Sequence, residues 1–277
     1  MPFTITNPQN NARFPLGEAV EFEGTADGNV VRVELTADGQ FVLPTVTLTA
    51  GNWSVANRFN LGGTRQIVAG AFDSSNAEVA SAQVNIVIQV PDFGSLVPIP
   101  SDINPGVNQA RQKTMMDIFG RPGELSPDCT PVTNQKVKNL LVTKNVGPFA
   151  VTGIKPAVEV LERVFVKVKN QEPELFKVLG TAGMLCCRRI RRPPGHPPSK
   201  QFSNHSWGSA VDIKIKGTLD PRGDGKAQLG LLMLHPFFNE ERFFWGAGFS
   251  GSNEDAMHFE ASDELVRKWN DDGLLGS

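Results

Sequence analysis

Between residues 1 and 90 the chain alternates apolar and polar positions in short runs. Val20 and Phe22 alternate with Glu21 and Glu23, and Val31, Val33 and Leu35 with Arg32 and Glu34. Trp53, Val55 and Phe59 stand among polar neighbours, and Val84, Ile86 and Ile88 are separated by Asn85 and Val87. A period of two belongs to a strand with one buried face. Asp27-Gly28-Asn29, Asp38-Gly39, Gly51-Asn52 and Gly62-Gly63 supply the turns between the runs. Short strands at this spacing predict an N-terminal all-β immunoglobulin-like sandwich over residues 1–90. That segment contains no histidine and no catalytic cluster, so its expected role is docking or binding.

A different pattern follows. Val90-Pro91-Asp92-Phe93-Gly94-Ser95-Leu96-Val97-Pro98-Ile99-Pro100 predicts a proline-rich, semi-rigid spacer over 91–106. From Asn108 the periodicity becomes helical, with Gln109 to Phe119 closed by Gly120 and Pro122. Pro156 opens a clearer helix, whose stripe of Val158, Leu161, Val164, Phe165 and Val168 ends at Pro173. Alternation returns at Ala210, where Val211, Ile213 and Ile215 oppose Ala210, Asp212 and Lys214. In Met257-His258-Phe259-Glu260 the two apolar residues oppose the two polar ones. Residues 107–277 therefore read as an α+β domain, with helices to one side of a mostly antiparallel sheet and the Pro156 helix packed beneath it.

Composition narrows the function. The formal charge of −2 excludes a general nucleic-acid binder, which would be strongly basic. The charge is uneven: residues 1–90 hold 4 Lys/Arg and 8 Asp/Glu, and four cations crowd into Arg188 to Arg192. A solvated basic loop accounts for that crowd, as does attraction for an acidic peptide. No apolar run approaches the roughly 20 residues of a membrane helix, and Met1 to Pro8 lacks the basic start and apolar core of a signal peptide. Cys129, Cys186 and Cys187, odd in number and two of them adjacent, are not expected to form a disulfide framework. The expectation is a chain made in a reducing cytoplasm, with Cys186 or Cys187 as second-best metal ligands.

The chemistry concentrates in Ser203-Asn204-His205-Ser206-Trp207-Gly208-Ser209-Ala210-Val211-Asp212 and Asp255-Ala256-Met257-His258-Phe259-Glu260. Two imidazoles and a carboxylate are the ligand set that leaves one position of a tetrahedral zinc ion open for water. Asp212 and His258 share a sheet face if their strands are neighbours, and the loop carrying His205 has only to fold back over it. His196, between prolines, and His235, beside a proline expected to stop a helix, read as structural or exposed.

Ser203-x-His205-x-x-Gly208-x-Ala210-x-Asp212 followed by Asp255-x-x-His258 resembles the bacterial and phage zinc D-alanyl-D-alanine carboxypeptidases and L-alanyl-D-glutamate endopeptidases, whose fold is shared with the hedgehog signalling domain. Trp245-Gly246 and the Met257-to-Glu260 ending look similar too, with Ala247 where a second glycine is common. The resemblance spans about residues 105–270. It implies that His205, Asp212 and His258 hold Zn2+, that Asp255 is the general base, and that Arg188, or its neighbour Arg189, steadies the substrate carbonyl or oxyanion. Ser203, Glu260 and Trp245 are expected to support ligands or substrate, Glu260 by orienting a ligand imidazole. The implied substrate is the peptidoglycan stem peptide. An enzyme of this kind without an export signal would reach the wall by phage lysis or inside a contractile injection or secretion particle, docked through the N-terminal domain. The alternative is a zinc-containing binding protein that keeps the fold without turnover.

Overall fold

The computed structural model describes residues 2–43, 46–192 and 195–276, and it divides into two compact units, Met1–Pro91 and Asp92–Ser277. The first consists of β1 (Thr4–Asn7), β2 (Ala12–Pro15), β3 (Ala19–Thr25), β4 (Arg32–Ala37), β5 (Gln40–Leu43), β6 (Thr47–Thr49), β7 (Asn52–Arg58), β8 (Gly63–Phe72) and β9 (Glu78–Gln89). They form two sheets, ordered β1-β3-β7-β6 and β2-β9-β8-β4-β5, antiparallel throughout except where β2 runs parallel to β9. Val20, Phe22, Val33, Leu35, Trp53, Val84, Ile86 and Ile88 fill one core, as their alternation predicts. Val31 departs from the pattern and is exposed, while Val30 is buried. The reason is the Asp27–Val30 turn, closed by the Val30 N–H on the Asp27 carbonyl, which shifts the inward position by one residue before β4 begins.

The second unit is α+β. Its elements are β10 (Leu96–Pro98), α1 (Gln112–Phe119), α2 (Gln135–Leu140), β11 (Leu141–Asn145), β12 (Ala150–Ile154), α3 (Lys155–Gln171), α4 (Pro173–Phe176), β13 (Leu179–Gly183), β14 (Ala210–Ile215), β15 (Lys226–Gln228), α5 (Leu229–Glu240), β16 (Phe243–Trp245), β17 (His258–Ala261) and α6 (Asp263–Asp271). The central sheet, ordered β13-β14-β17-β16, is antiparallel.

Five sequence expectations change here. The segment expected to be a spacer is part of this unit: Phe93 is buried in its core and β10 pairs with β15. The Phe93 and Ser95 carbonyls accept the Gly230 and Leu229 N–H groups, occupying donors at the start of α5 that the helix leaves free. Helix α1 begins three residues later than Gln109, because the backbone ahead of it has partners elsewhere. The Ala110 N–H donates to Glu260 and the Arg111 N–H to Asp263. Pro236 does not stop α5 but lies inside it. A proline there leaves the carbonyl four residues back without its donor. The His235 ring supplies one, its Nδ1–H donating to the Leu232 carbonyl at 2.6 Å. Helix α3 buries its predicted stripe, but against the β11–β12 hairpin and α5, and α5 in turn packs on β14 and β16.

The cysteines overturn the fifth expectation, since Cys129 and Cys186 form a disulfide and Cys187 is free and buried. Residues adjacent in an extended segment point to opposite sides. Cys187 therefore enters the core while Cys186 faces out, where a backbone bridge between Thr130 and Cys187 brings Cys129 alongside. Sequence adjacency concealed this pairing. A bond closing a separation of 57 residues is expected to stabilise the fold by about 4 kcal/mol in the chain-entropy account. The denaturation midpoint should fall correspondingly on reduction, measured by urea titration with and without dithiothreitol.

Candidate active site

Strands β14 and β17 pair so that Asp212 stands directly opposite His258. Directly paired residues share a sheet face, and Val211, Ile213 and Ile215 point the other way into the core. His205 reaches the same point from a 3-10 turn, Asn204–Trp207, that ends at Gly208 in the left-handed conformation (φ 67°). Only glycine fits there: a Cβ at Gly208 would lie 2.9 Å from Gly153 Cα, and the Gly208 carbonyl accepts the Ile154 N–H. This seat on the β12–α3 junction fixes the fold-back of the His205 loop.

The three side chains meet tightly. His205 Nε2 is 3.1 Å from Asp212 Oδ1, His258 Nδ1 is 3.1 Å from the same oxygen, and the two ring nitrogens are 3.2 Å apart. The far sides of the rings determine what faces inward. His205 Nδ1–H donates to the Met184 carbonyl at 2.9 Å, and His258 Nε2–H to Glu260 at 2.8 Å. In neutral imidazoles each donating nitrogen leaves the other as a lone pair. Three acceptor atoms therefore converge on one point, which is unfavourable without a cation. Tetrahedral zinc with ligands at roughly 2.0–2.1 Å would separate them by about 3.3 Å, so the observed spacing fits. The electrostatics agree: burial opposes charge on His258, yet the carboxylates of Asp212 and Glu260, which accept hydrogen bonds from its ring, raise its pKa to about 10. Asp212 is held well below the usual carboxylate range, burial being overcome by the two imidazoles. The pocket calls for positive charge at its centre, and among the described residues these three are the grouping that could hold a metal ion.

Glu260 is buried and fully engaged. Besides His258 it accepts from Asn204 Nδ2 at 2.7 Å and from the Ala110 N–H at 2.9 Å, so it holds the His258 ring, the His205 turn and the approach to α1 together.

Two adjoining cavities of about 610 and 420 Å3 open over the cluster. Arg188, Arg222 and Asp255 line both; His258, Glu260 and Ser203 line the larger, and His205, Asp212 and the Cys129–Cys186 bond line the smaller. Asp255 has one oxygen 3.1 Å from Arg222 Nε, while its Oδ1 is buried without a partner. Burial pushes its pKa up, and nearby His258 and Arg222 oppose that rise. A carboxylate with one oxygen held and the other unengaged, beside a candidate metal-ligand set, has an atom free to accept and release a proton.

The remaining sequence-predicted residues separate clearly. Arg188 is buried and lines both cavities, its Nη1 donating to the Arg189 carbonyl, whereas Arg189 lines neither. Trp245 lines neither cavity. It is fully buried, donating Nε1–H to the Ala256 carbonyl and stacking on His235, so it supports the loop that presents Asp255. His196 is exposed and His235 half-buried, both outside the cluster. Cys186 is spent in the disulfide and Cys187 in the core, which removes both as metal ligands. Sequence reasoning missed Arg222: it lies in a Gly- and Asp-rich loop with no motif, and only its contact with Asp255 reveals it.

Residues 198–261 match the D-alanyl-D-alanine carboxypeptidase family. The matched stretch holds all three candidate metal ligands and Asp255, and the motif resemblance stands with it. Residues 3–69 match the bacterial Ig domain family. No curated protein matches the chain. Solved structures similar to it include the fibronectin(III)-like modules of Clostridium thermocellum CbhA, at 20% identity and TM-score 0.29, covering 32% of this chain and 98% of that one. Another is a putative membrane anchored protein from Corynebacterium diphtheriae, at 17% identity and TM-score 0.29, covering 46% of this chain and 28% of that one. A third is CopC from Methylosinus trichosporium OB3b, at 8% identity and TM-score 0.26, covering 32% and 95%. TM-scores of this size leave the fold assignment to strand order and the family matches. No helix among the described residues is long and apolar enough to cross a membrane.

Proposed function

We propose that the C-terminal unit is a zinc-dependent peptidase of peptidoglycan stem peptides, hydrolysing the D-Ala-D-Ala bond as a carboxypeptidase or the L-Ala-D-Glu bond as an endopeptidase. The observation that carries this reading is the convergence of His205, Asp212 and His258, all with acceptor atoms inward, beside the partnerless oxygen of Asp255. Zinc held by these ligands would supply Lewis acidity and would bring the pKa of a water toward about 7. Asp255 takes the proton of the attacking water on its open oxygen and delivers it to the leaving amine. Arg188, poised at the junction of the two cavities, offers its guanidinium to the carbonyl oxygen as negative charge grows there. Glu260 and the Met184 carbonyl hold the two ligand imidazoles in the orientation that keeps their lone pairs inward.

The disulfide supports action outside a reducing cytoplasm, because such bonds persist in oxidising compartments. That agrees with a wall-acting enzyme released by lysis as an endolysin or delivered as an effector by an injection or secretion particle. The immunoglobulin-like unit is the part that docks to the particle or holds the wall.

The test is mass spectrometry of products from one defined muropeptide, with and without chelator. Loss of a terminal D-Ala, or separation of L-Ala from D-Glu, that stops on chelation and returns with zinc is the expected result. No release under any metal condition would return the protein to the zinc-containing binding class. Removing residues 1–90 is expected to leave turnover of the soluble muropeptide within about twofold and to weaken retention on purified sacculi; loss of soluble turnover would overturn the division of labour.

A further inference from the structure

Two arginines that line both cavities have no assigned task, the exposed Arg191 and Arg222, and of these Arg222 touches Asp255. Its loop leads from β14 to β15 and is pinned on both sides. Asp220 Oδ2 accepts the Gln228 N–H at 2.6 Å, and the Gly223 N–H donates to Glu254, both to its carbonyl and, at 2.8 Å, to Oε2. Glu254 directly precedes Asp255, so these bonds tie the Arg222 loop to the segment presenting the proposed base. The Nε edge of Arg222 is spent on Asp255 Oδ2 at 3.1 Å. Among the described residues its two terminal nitrogens make no hydrogen bond or ion pair, and the side chain lines both cavities while remaining about one-third exposed.

A guanidinium with one edge engaged and its end open is built to take a second anion, since the planar fork matches a carboxylate with two parallel N–H donors. Its location specifies which carboxylate. Asp255 must come within hydrogen-bond reach of the leaving amine to protonate it. A carboxylate on the carbon bearing that amine lies only two bonds further on, within reach of the residue that holds Asp255. We propose that Arg222 binds a free α-carboxylate on the amine-side residue of the scissile bond, so that the same side chain positions the base and selects the substrate. This inference rests on the peptidase reading and deepens it. Two sources share the chemistry: the C-terminal carboxylate of D-Ala-D-Ala, and the α-carboxylate that D-Glu keeps when it is linked onward through its γ-carboxyl. A bond whose amine-side residue has its α-carboxyl in an amide is expected to be a poor substrate.

The experiment compares zinc-loaded wild type with Arg222→Gln and Arg222→Lys on two matched pairs of peptides. One pair ends in D-Ala-D-Ala as free acid or as carboxamide; the other carries L-Ala-γ-D-Glu as free α-acid or as its α-amide. In the pair that wild type cleaves, the free acid is expected to be preferred by about 10- to 100-fold in kcat/KM, the size of a lost charge-assisted hydrogen bond. Arg222→Gln should bring that ratio close to one with zinc content unchanged, and Arg222→Lys should restore part of it. The pair that responds identifies the source of the carboxylate. An acid-to-amide ratio in Arg222→Gln equal to that of wild type overturns the anchor, even if both rates fall through a displaced Asp255. If wild type cleaves neither acid peptide, the peptidase reading fails and the anchor with it.

Discussion

Replacing His205 or His258 with alanine is expected to remove bound zinc and at least about 10³-fold of the activity together. Each imidazole supplies one of three converging donors, and its absence leaves two protein ligands, too few to hold the ion against water and chelators. Lewis-acid stabilisation is worth several kcal/mol, and each 1.4 kcal/mol is a factor of ten in rate. Elemental analysis after dialysis and kcat/KM on a muropeptide check both halves. Glu260→Gln serves as the graded companion. The carboxamide still offers an oxygen to His258 Nε2–H but loses the negative charge, so metal affinity should fall by about 10- to 100-fold, the usual range for a partner behind a ligand. Retention of stoichiometric zinc in His258→Ala would show that the ion is held elsewhere.

The second large effect belongs to Asp255. Asp255→Asn should keep zinc and the fold while lowering kcat by about 10²- to 10⁴-fold, the range for removing a positioned proton carrier. Its shape nearly unchanged, the side chain can no longer take a proton. Burial holds this carboxyl above its ordinary value of about 3.9. Catalysis needs the deprotonated form, so activity should rise with pH through a midpoint above that of an ordinary aspartate. Asp255→Asn should abolish that limb of the profile. Zinc lost from this variant would make Asp255 a ligand instead of the base.

Periodicity and spacing along the chain already determined much of this molecule. The alternating runs defined the N-terminal sandwich, the stripe from Val158 to Val168 defined α3, and the alternation around Asp212 and His258 put each on the face of its strand opposite the apolar residues, because burying one side of a strand leaves no other register. Helix Leu229–Glu240 was harder to read, since the rescue of its proline by His235 depends on a side-chain rotamer. The spacer reading of residues 91–106 failed because whether a proline-rich segment is free or packed depends on the surface available to it, here α5 and β15. Three further features were decided only by tertiary structure: the Cys129–Cys186 bond, the choice of Arg188 over Arg189 as the arginine facing the cleft, and the hold of Arg222 on Asp255. Each depends on segments far apart in sequence arriving at one place in a given orientation. Local pattern specifies which face a residue takes on its own element, whereas the partner across the cleft is set by how the elements pack.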